Sequence, residues 1–230
     1  MTAVSDPPAS PDGPTNPPLR GRWILILLIG LCCGIEVLLL VADFLNPSGL
    51  NLRRLAYNYG GFYPGLARGW NPNYPAQPYV MYLTYGFLHA GLLHLAVNMI
   101  TLWSLGRGVL ERVGPRGFIL LYALSALGGG AASGLLSPGH LPIVGASGAL
   151  FGLAGGLLAW NYIDRFTVSE TLWPVVRGAG LLCLINVVFW WMMDGNIAWQ
   201  AHLGGGLAGF VAAVLIDPRS KVEEDDIETG

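Results

Sequence analysis

Six apolar runs, most of them about as long as a helix must be to cross a bilayer, occupy the chain between Trp23 and Ile216. They fall at about Trp23–Leu45, Tyr79–Gly106, Gly117–Leu136, Ser147–Tyr162, Pro174–Met193 and Trp199–Ile216. Roughly 20 apolar residues in a helix span the hydrocarbon core, where backbone polar groups must be satisfied within the structure. The expected fold is therefore all-α: a polytopic membrane protein with a bundle of six transmembrane helices. Composition agrees. Charged residues are 11 % of the chain, against about 25 % in soluble domains, so a polar shell cannot cover the apolar surface. Hydrophobic residues make up 53 % and the mean hydropathy is +0.52. The net charge of −2 offers no basic footprint for nucleic acid.

The flanking segments divide the chain. Residues 1–20 are rich in Pro, Ser, Asp and Gly, have no apolar period, and read as a disordered tail. The first apolar run is too long for a signal-peptide core. Residues 21–217 read as one membrane domain with a long first loop, about 46–77, rich in Gly, Pro, Asn and Tyr. That loop is too polar to span and is expected to be structured at the interface, where Trp70 and the tyrosines sit well. Residues 218–230 form an acidic tail with Glu223, Glu224, Asp225 and Asp226. Arg20, Arg22, Arg107, Arg112, Arg116, Arg165, Arg219 and Lys221 all fall on one side if the N-terminus is cytoplasmic, with Arg177 at the inner end of the fifth span. Only Arg53, Arg54 and Arg68, in the long loop, fall outside, so both termini are expected in the cytoplasm. A short chain lacking a transit peptide suits a prokaryotic cell membrane. Cys32, Cys33 and Cys183 lie in apolar runs without metal-ligand spacing and read as packing residues.

The fourth run begins at Gly145-Ala146-Ser147-Gly148 and meets Asp164-Arg165 after about fifteen residues, short of the roughly 20 a crossing needs. A short fourth helix that starts inside the membrane is expected, its N-terminus reached by a loop that lines water or is buried in protein. The second run carries His89, His94 and Asn98; the sixth carries His202. His94 and Asn98, four apart, share a helix face. Ser147, His202 and His94 lie about 14, 14 and 13 residues above the inner ends of their runs, which at about 1.5 Å per residue puts all three about 20 Å up. In a core about 30 Å thick they share one plane, about 10 Å below the outer surface. Nothing in the local sequence requires that coincidence.

Gly148, Gly152 and Gly156 form a small face on the fourth run, and Gly205 and Gly209 form another below His202. Such faces let helix backbones approach closely, which would bring Ser147 to His202. A serine hydroxyl needs a base to take its proton, and a histidine can take it and return it to a leaving amine. His94, Asn98 and the backbone N–H of Ser147 suit the donors that an acyl-transfer oxyanion requires. Neither Glu36 nor Asp194 matches the plane as a third member, so a dyad is expected.

Gly145-Ala146-Ser147-Gly148 resembles the Gly-x-Ser-Gly nucleophile motif of the rhomboid family of intramembrane serine proteases. Ala201-His202 followed by Gly205 and Gly209 is similar to that family's Ala-His-x-x-Gly-x-x-x-Gly signature, and His89, His94 and Asn98 to its His-x-x-x-x-His-x-x-x-Asn pattern. The resemblance covers about Tyr79 to Ile216. It implies a rhomboid-like six-helix core, Ser147 and His202 as a catalytic dyad, and His94 and Asn98 as oxyanion donors, with His89 supporting a loop. It also implies a water-filled cavity open to the outer side, no cofactor, and cleavage of transmembrane protein substrates in the lipid bilayer near their outer ends. Where some members stack a tyrosine on the histidine, this chain has Phe151, which keeps the ring but not the hydroxyl.

Blander readings accompany each residue. A lone membrane serine usually bonds its own backbone or a neighbouring helix, and His94, Asn98 and His202 can each glue helices together. His140 reads as a solvated loop residue, Asp194 as a turn residue beside Gly195, and Phe189, Trp190 and Trp191 as lipid-facing rings or, by the resemblance, part of a lateral substrate gate. Competing functions are a catalytically silent rhomboid-like protein that binds membrane clients, and a transporter, for which the internal repeat is missing. A zinc site from His94 and His202 lacks a third ligand at ordinary spacing. Substrate, oligomeric state and the role of Glu36 are open at this stage.

Overall fold

The computed structural model describes residues 21–46, 49, 51–192 and 197–217. The readings of the 1–20 and 218–230 tails, and of Asp194 as a turn residue, lie outside the described residues. Within them the fold is all-α: α1 (Arg22–Leu45), α2 (Leu52–Gly60), α3 (Gln77–Thr84), α4 (Leu92–Leu136), α5 (Ser147–Thr167), α6 (Trp173–Met192) and α7 (Trp199–Leu215). Two 3-10 turns, Leu66–Arg68 and Tyr85–Phe87, and one antiparallel bridge between Phe62 and Ile143 complete the regular structure. Three helices are long and apolar enough to cross a membrane, α1, α4 and Trp173–Trp191 of α6, and α7 is a shorter apolar helix.

The second and third expected spans are two helical stretches that meet at a sharp kink within α4. Its ladder breaks at Gly114, which takes φ 66°, a value that the residue before a proline meets most easily as glycine. The second expected span also starts later than its apolar run. Tyr79–Leu83 belong to α3, the chain then tightens into a 3-10 turn, and Gly91 at φ 99° stops any continuous helix before Leu92.

The fourth span departs from expectation in the other direction. Helix α5 runs to Thr167, 21 residues, past the charged Asp164-Arg165. Its charges are neutralised within the fold, so the helix need not end where the apolar run does. Arg112 of α4 donates to both carboxylate oxygens of Asp164 at 2.8 and 2.9 Å, and Arg165 pairs with Glu170 at 2.9 Å. Arg112 also reaches Asp217 at 3.2 Å and lies 5.4 Å from the Trp160 ring, whose Nε1 donates to the Ala213 carbonyl. One guanidinium thus ties α4 and α5 to the end of α7 at the far end of the bundle.

The centre is a sandwich of α4, α5 and α7 held by small residues. Side chains at Gly205 and Gly209 would collide with the carbonyl oxygens of Gly148 and Gly152, and one at Gly155 with that of Gly206. Ala208 and Ala132 fill the matching approach of α7 to α4 at Gly128 and Gly204. Lipid tails are as apolar as leucine, so these contacts depend on close van der Waals approach rather than on a hydrophobic driving force. Helix α6 is the exception: no residue of Trp173–Trp191 is buried.

The long loop is structured. Asn51 caps α2 by accepting the Arg54 N–H at 2.7 Å, and Asn73 and Gln77 donate to the Asn58 carbonyl. Glu36, 1 % exposed in the middle of α1, acquires a role here. Arg53 Nη1 lies 3.0 Å from its Oε1 and 3.1 Å from its Oε2, with hydrogen-bond geometry to the latter, while Nε binds Asp43 at 2.9 Å. Burial opposes the Arg53 charge, but hydrogen bonds to Tyr57 and Asp43 and the Glu36 carboxylate outweigh it and hold its pKa above the ordinary guanidinium value. Trp70 stacks on His140 at 5.6 Å, so that exposed loop histidine has a ring partner.

Candidate active site

Ser147 is the first residue of α5, where backbone N–H groups have no intrahelical partner. The segment leading into it is pinned from below. The Gly145 N–H donates to the Tyr85 carbonyl at 2.9 Å, and Ile143 pairs with Phe62 through two backbone bonds. Tyr85, 1 % exposed, sends its hydroxyl to the Ala126 carbonyl directly beneath Gly148. Gly145 takes φ 123°, and a Cβ there would stand 2.7 Å from the His94 ring. Glycine is required at that position on both counts.

The gap between Ser147 and His202 closes because α5 and α7 meet backbone to backbone at Gly148 and Gly205. Ser147 Oγ lies 2.8 Å from Nε2 of His202. His202 is 4 % exposed, and the Phe151 ring stacks flat on it at 4.3 Å and 1°. The other ring nitrogen, Nδ1, lies 2.9 Å from Oδ1 of Asn186 on α6. The amide oxygen accepts, so Nδ1 carries the proton and Nε2 presents its lone pair to the serine hydroxyl.

His94 stands on the opposite side of the loop. The Ala90 N–H donates to its Nδ1 at 3.2 Å, which places the ring proton on Nε2, the nitrogen nearer Gly145. Asn98, 4 % exposed, donates one amide N–H to the His94 carbonyl at 2.9 Å and keeps a second. His89 is 1 % exposed, sits edge-on to His94 at 5.4 Å, and its carbonyl accepts from Tyr57 at 2.6 Å and Arg53 at 3.3 Å. The long loop thus bears on the site through the backbone of His89.

The structure brings Ser147, His202, Phe151, Gly145 and His94 into one cluster, with Gly148, Gly205 and Gly209 beneath. Two contributors were not singled out from sequence. Asn186 meets the far ring nitrogen of His202 as an amide, not a carboxylate. Its signal was a single polar residue inside the apolar run of α6. Tyr85 had none, being one of three tyrosines at the start of the second apolar run.

A family model described as "Rhomboid domain" matches residues 76–219. Among curated proteins, the chain is 36 % identical over 129 residues to "Rhomboid protease GluP" of Bacillus subtilis (strain 168), covering 56 % of this chain and 24 % of that one. It is 38 % identical over 131 residues to "RHOMBOID-like protein 5" of Arabidopsis thaliana, covering 56 % and 41 %. A longer alignment, 29 % identical over 217 residues, covers 88 % of this chain and 68 % of "Rhomboid-like protein 11, chloroplastic" of the same plant. The chain spans less than half the length of the first two relatives.

Proposed function

The chain belongs to the rhomboid family and is an integral membrane protein, and from that premise we propose that it is an intramembrane serine endopeptidase with Ser147 as nucleophile and His202 as base. The observation that carries this reading is the 2.8 Å approach of Ser147 Oγ to His202 Nε2 in a cluster lined by helices of an apolar bundle. A hydroxyl hydrogen-bonded to an imidazole whose far nitrogen is itself held is the arrangement that activates a serine.

The chemistry follows from the positions. Ser147 Oγ adds to the carbonyl carbon of a substrate peptide bond while its proton passes to His202 Nε2. The oxyanion is met by the Nε2–H of His94, the second N–H of Asn98 and the backbone N–H of Ser147, where one lost donor costs about 10²–10³ in kcat. Collapse returns the proton from His202 to the leaving amine. Water then enters, gives a proton to the same nitrogen, attacks the acyl carbon, and releases the new carboxyl terminus and Ser147.

The substrates are transmembrane proteins in the same bilayer, cut near its outer face. The Lys and Arg bias supports a reading with both termini in the cytoplasm and the Ser147 end of the bundle outward. The test is labelling of the detergent-solubilised protein with a fluorophosphonate probe. Wild type is expected to label, and Ser147→Ala and His202→Ala are expected not to. Folded wild type that stays unlabelled overturns the reading and favours a silent client-binding protein.

A further inference from the structure

Helix α6 has the weakest hold on the bundle. None of its residues from Trp173 to Trp191 is buried. It touches α5 near Gly178 and Leu158, and eight residues further on its side-chain hydrogen bond to another helix, among the described residues, is that of Asn186 with His202. A polar amide in an apolar, half-buried helix is therefore spent on the histidine that faces Ser147.

We infer that Asn186 is a positioning residue for His202: its Oδ1 accepts the Nδ1–H, fixes Nε2 as the proton acceptor, and makes the alignment of His202 depend on where α6 stands. The inference rests on the reading of Ser147 and His202 as nucleophile and base. The acceptor matters for two reasons. Without it the imidazole can carry its proton on Nε2, which gives the serine a donor in place of a base. It can also rotate, restrained then by the Phe151 ring and the contact with Ser147. Among the described residues, the titratable side chain that interacts with His202 is His94 on α4; α5 offers Ser147, and α6 offers the uncharged Asn186. A neutral acceptor holds the ring without adding a charge. Because α6 is so little buried, a substrate helix that displaces it would lengthen the Asn186–His202 bond and loosen the base until α6 returns.

The test compares fluorophosphonate labelling rates of wild type, Asn186→Leu, Asn186→Asp and Ser147→Ala in one detergent. Leucine keeps the volume and removes the acceptor; aspartate keeps the acceptor. Asn186→Leu is expected to label at least about 10-fold more slowly, and Asn186→Asp to recover most of the rate. Nitrogen-15 spectra of histidine-labelled protein, with His202 assigned from His202→Ala, are expected to show Nδ1 protonated in wild type and a mixture in Asn186→Leu. Equal labelling of Asn186→Leu and wild type overturns the inference. So does equal impairment of the Leu and Asp variants, or an Nε2-protonated His202 in wild type. If wild type labels and Ser147→Ala does not, any of these failures is specific to Asn186; an unlabelled wild type is instead a failure of the serine reading.

Discussion

Ser147 Oγ and His202 Nε2 meet at 2.8 Å across 55 residues of sequence, and they meet because the carbonyl of Gly148 rests where Gly205 has no side chain. The distance is thus set by a backbone contact one residue from Ser147 and three residues from His202, not by the partners alone.

Gly205→Val tests that dependence. The added side chain runs into the Gly148 carbonyl, and overpacking of this kind costs about 1–3 kcal/mol. Labelling of Ser147 is expected to fall far more than the thermal midpoint in detergent. Gly206→Ala is the control: a Cβ there meets only the Phe151 carbonyl at 3.7 Å and should be tolerated. Full activity in Gly205→Val would show that the contact does not set the distance.

Gly145→Ala addresses the other wall of the site. Its φ of 123° is strained for alanine, at a cost of order 1–3 kcal/mol, and its Cβ stands 2.7 Å from His94. Peptide-bond cleavage should drop by about 10²-fold, the size of one lost oxyanion donor. Circular dichroism should show the helices retained. Unchanged kcat would detach His94 from catalysis.

Arg112 of α4 grips the other end of α5 at Asp164, seventeen residues from Ser147 in sequence and about 25 Å along the helix. Arg112→Met takes the guanidinium away from Asp217, whose side chain is 7 % exposed, and from Asp164, 35 % exposed. A loss of about 1–3 kcal/mol is expected, discounted for the exposed partner. Adding Asp217→Asn should restore part of it. Labelling per folded molecule at a permissive temperature should not change. A lost labelling rate with normal stability would mean that the far end communicates with the site.

Arg53→Met leaves the Glu36 carboxylate buried without its cation, and a stranded buried charge costs about 3–5 kcal/mol. Glu36→Gln in the same chain should recover much of the loss, because the amide needs no counter-charge. Limited proteolysis of the 46–77 loop reads the outcome. Equal protection in Arg53→Met and wild type would remove the ion pair as the loop's anchor.

Much of this was legible in the residues. Apolar run length gave the helices, and the four-residue glycine spacings gave the α5–α7 contact, because both follow from helix geometry alone. What failed to read was whatever depends on partners distant in sequence. The apparent end of α5 at Asp164 disappears once Arg112 supplies a counter-charge, and Glu36 has no meaning until Arg53 folds over it. The start of the second span was misplaced because an apolar run does not reveal a turn at Tyr85–Gly91. Asn186 does not read from the residues alone because a carboxylate is the usual partner of a catalytic imidazole, whereas a neutral amide can hold one as well.

The most direct measurement is cleavage of a single-span protein by the purified chain in sealed vesicles, followed by mass spectrometry of the products. Wild type is expected to release two fragments whose new termini map to the outer end of the span, while Ser147→Ala and His202→Ala, folded and inserted alike, release none. Cleavage that persists in Ser147→Ala would contradict the assignment of Ser147 as the nucleophile.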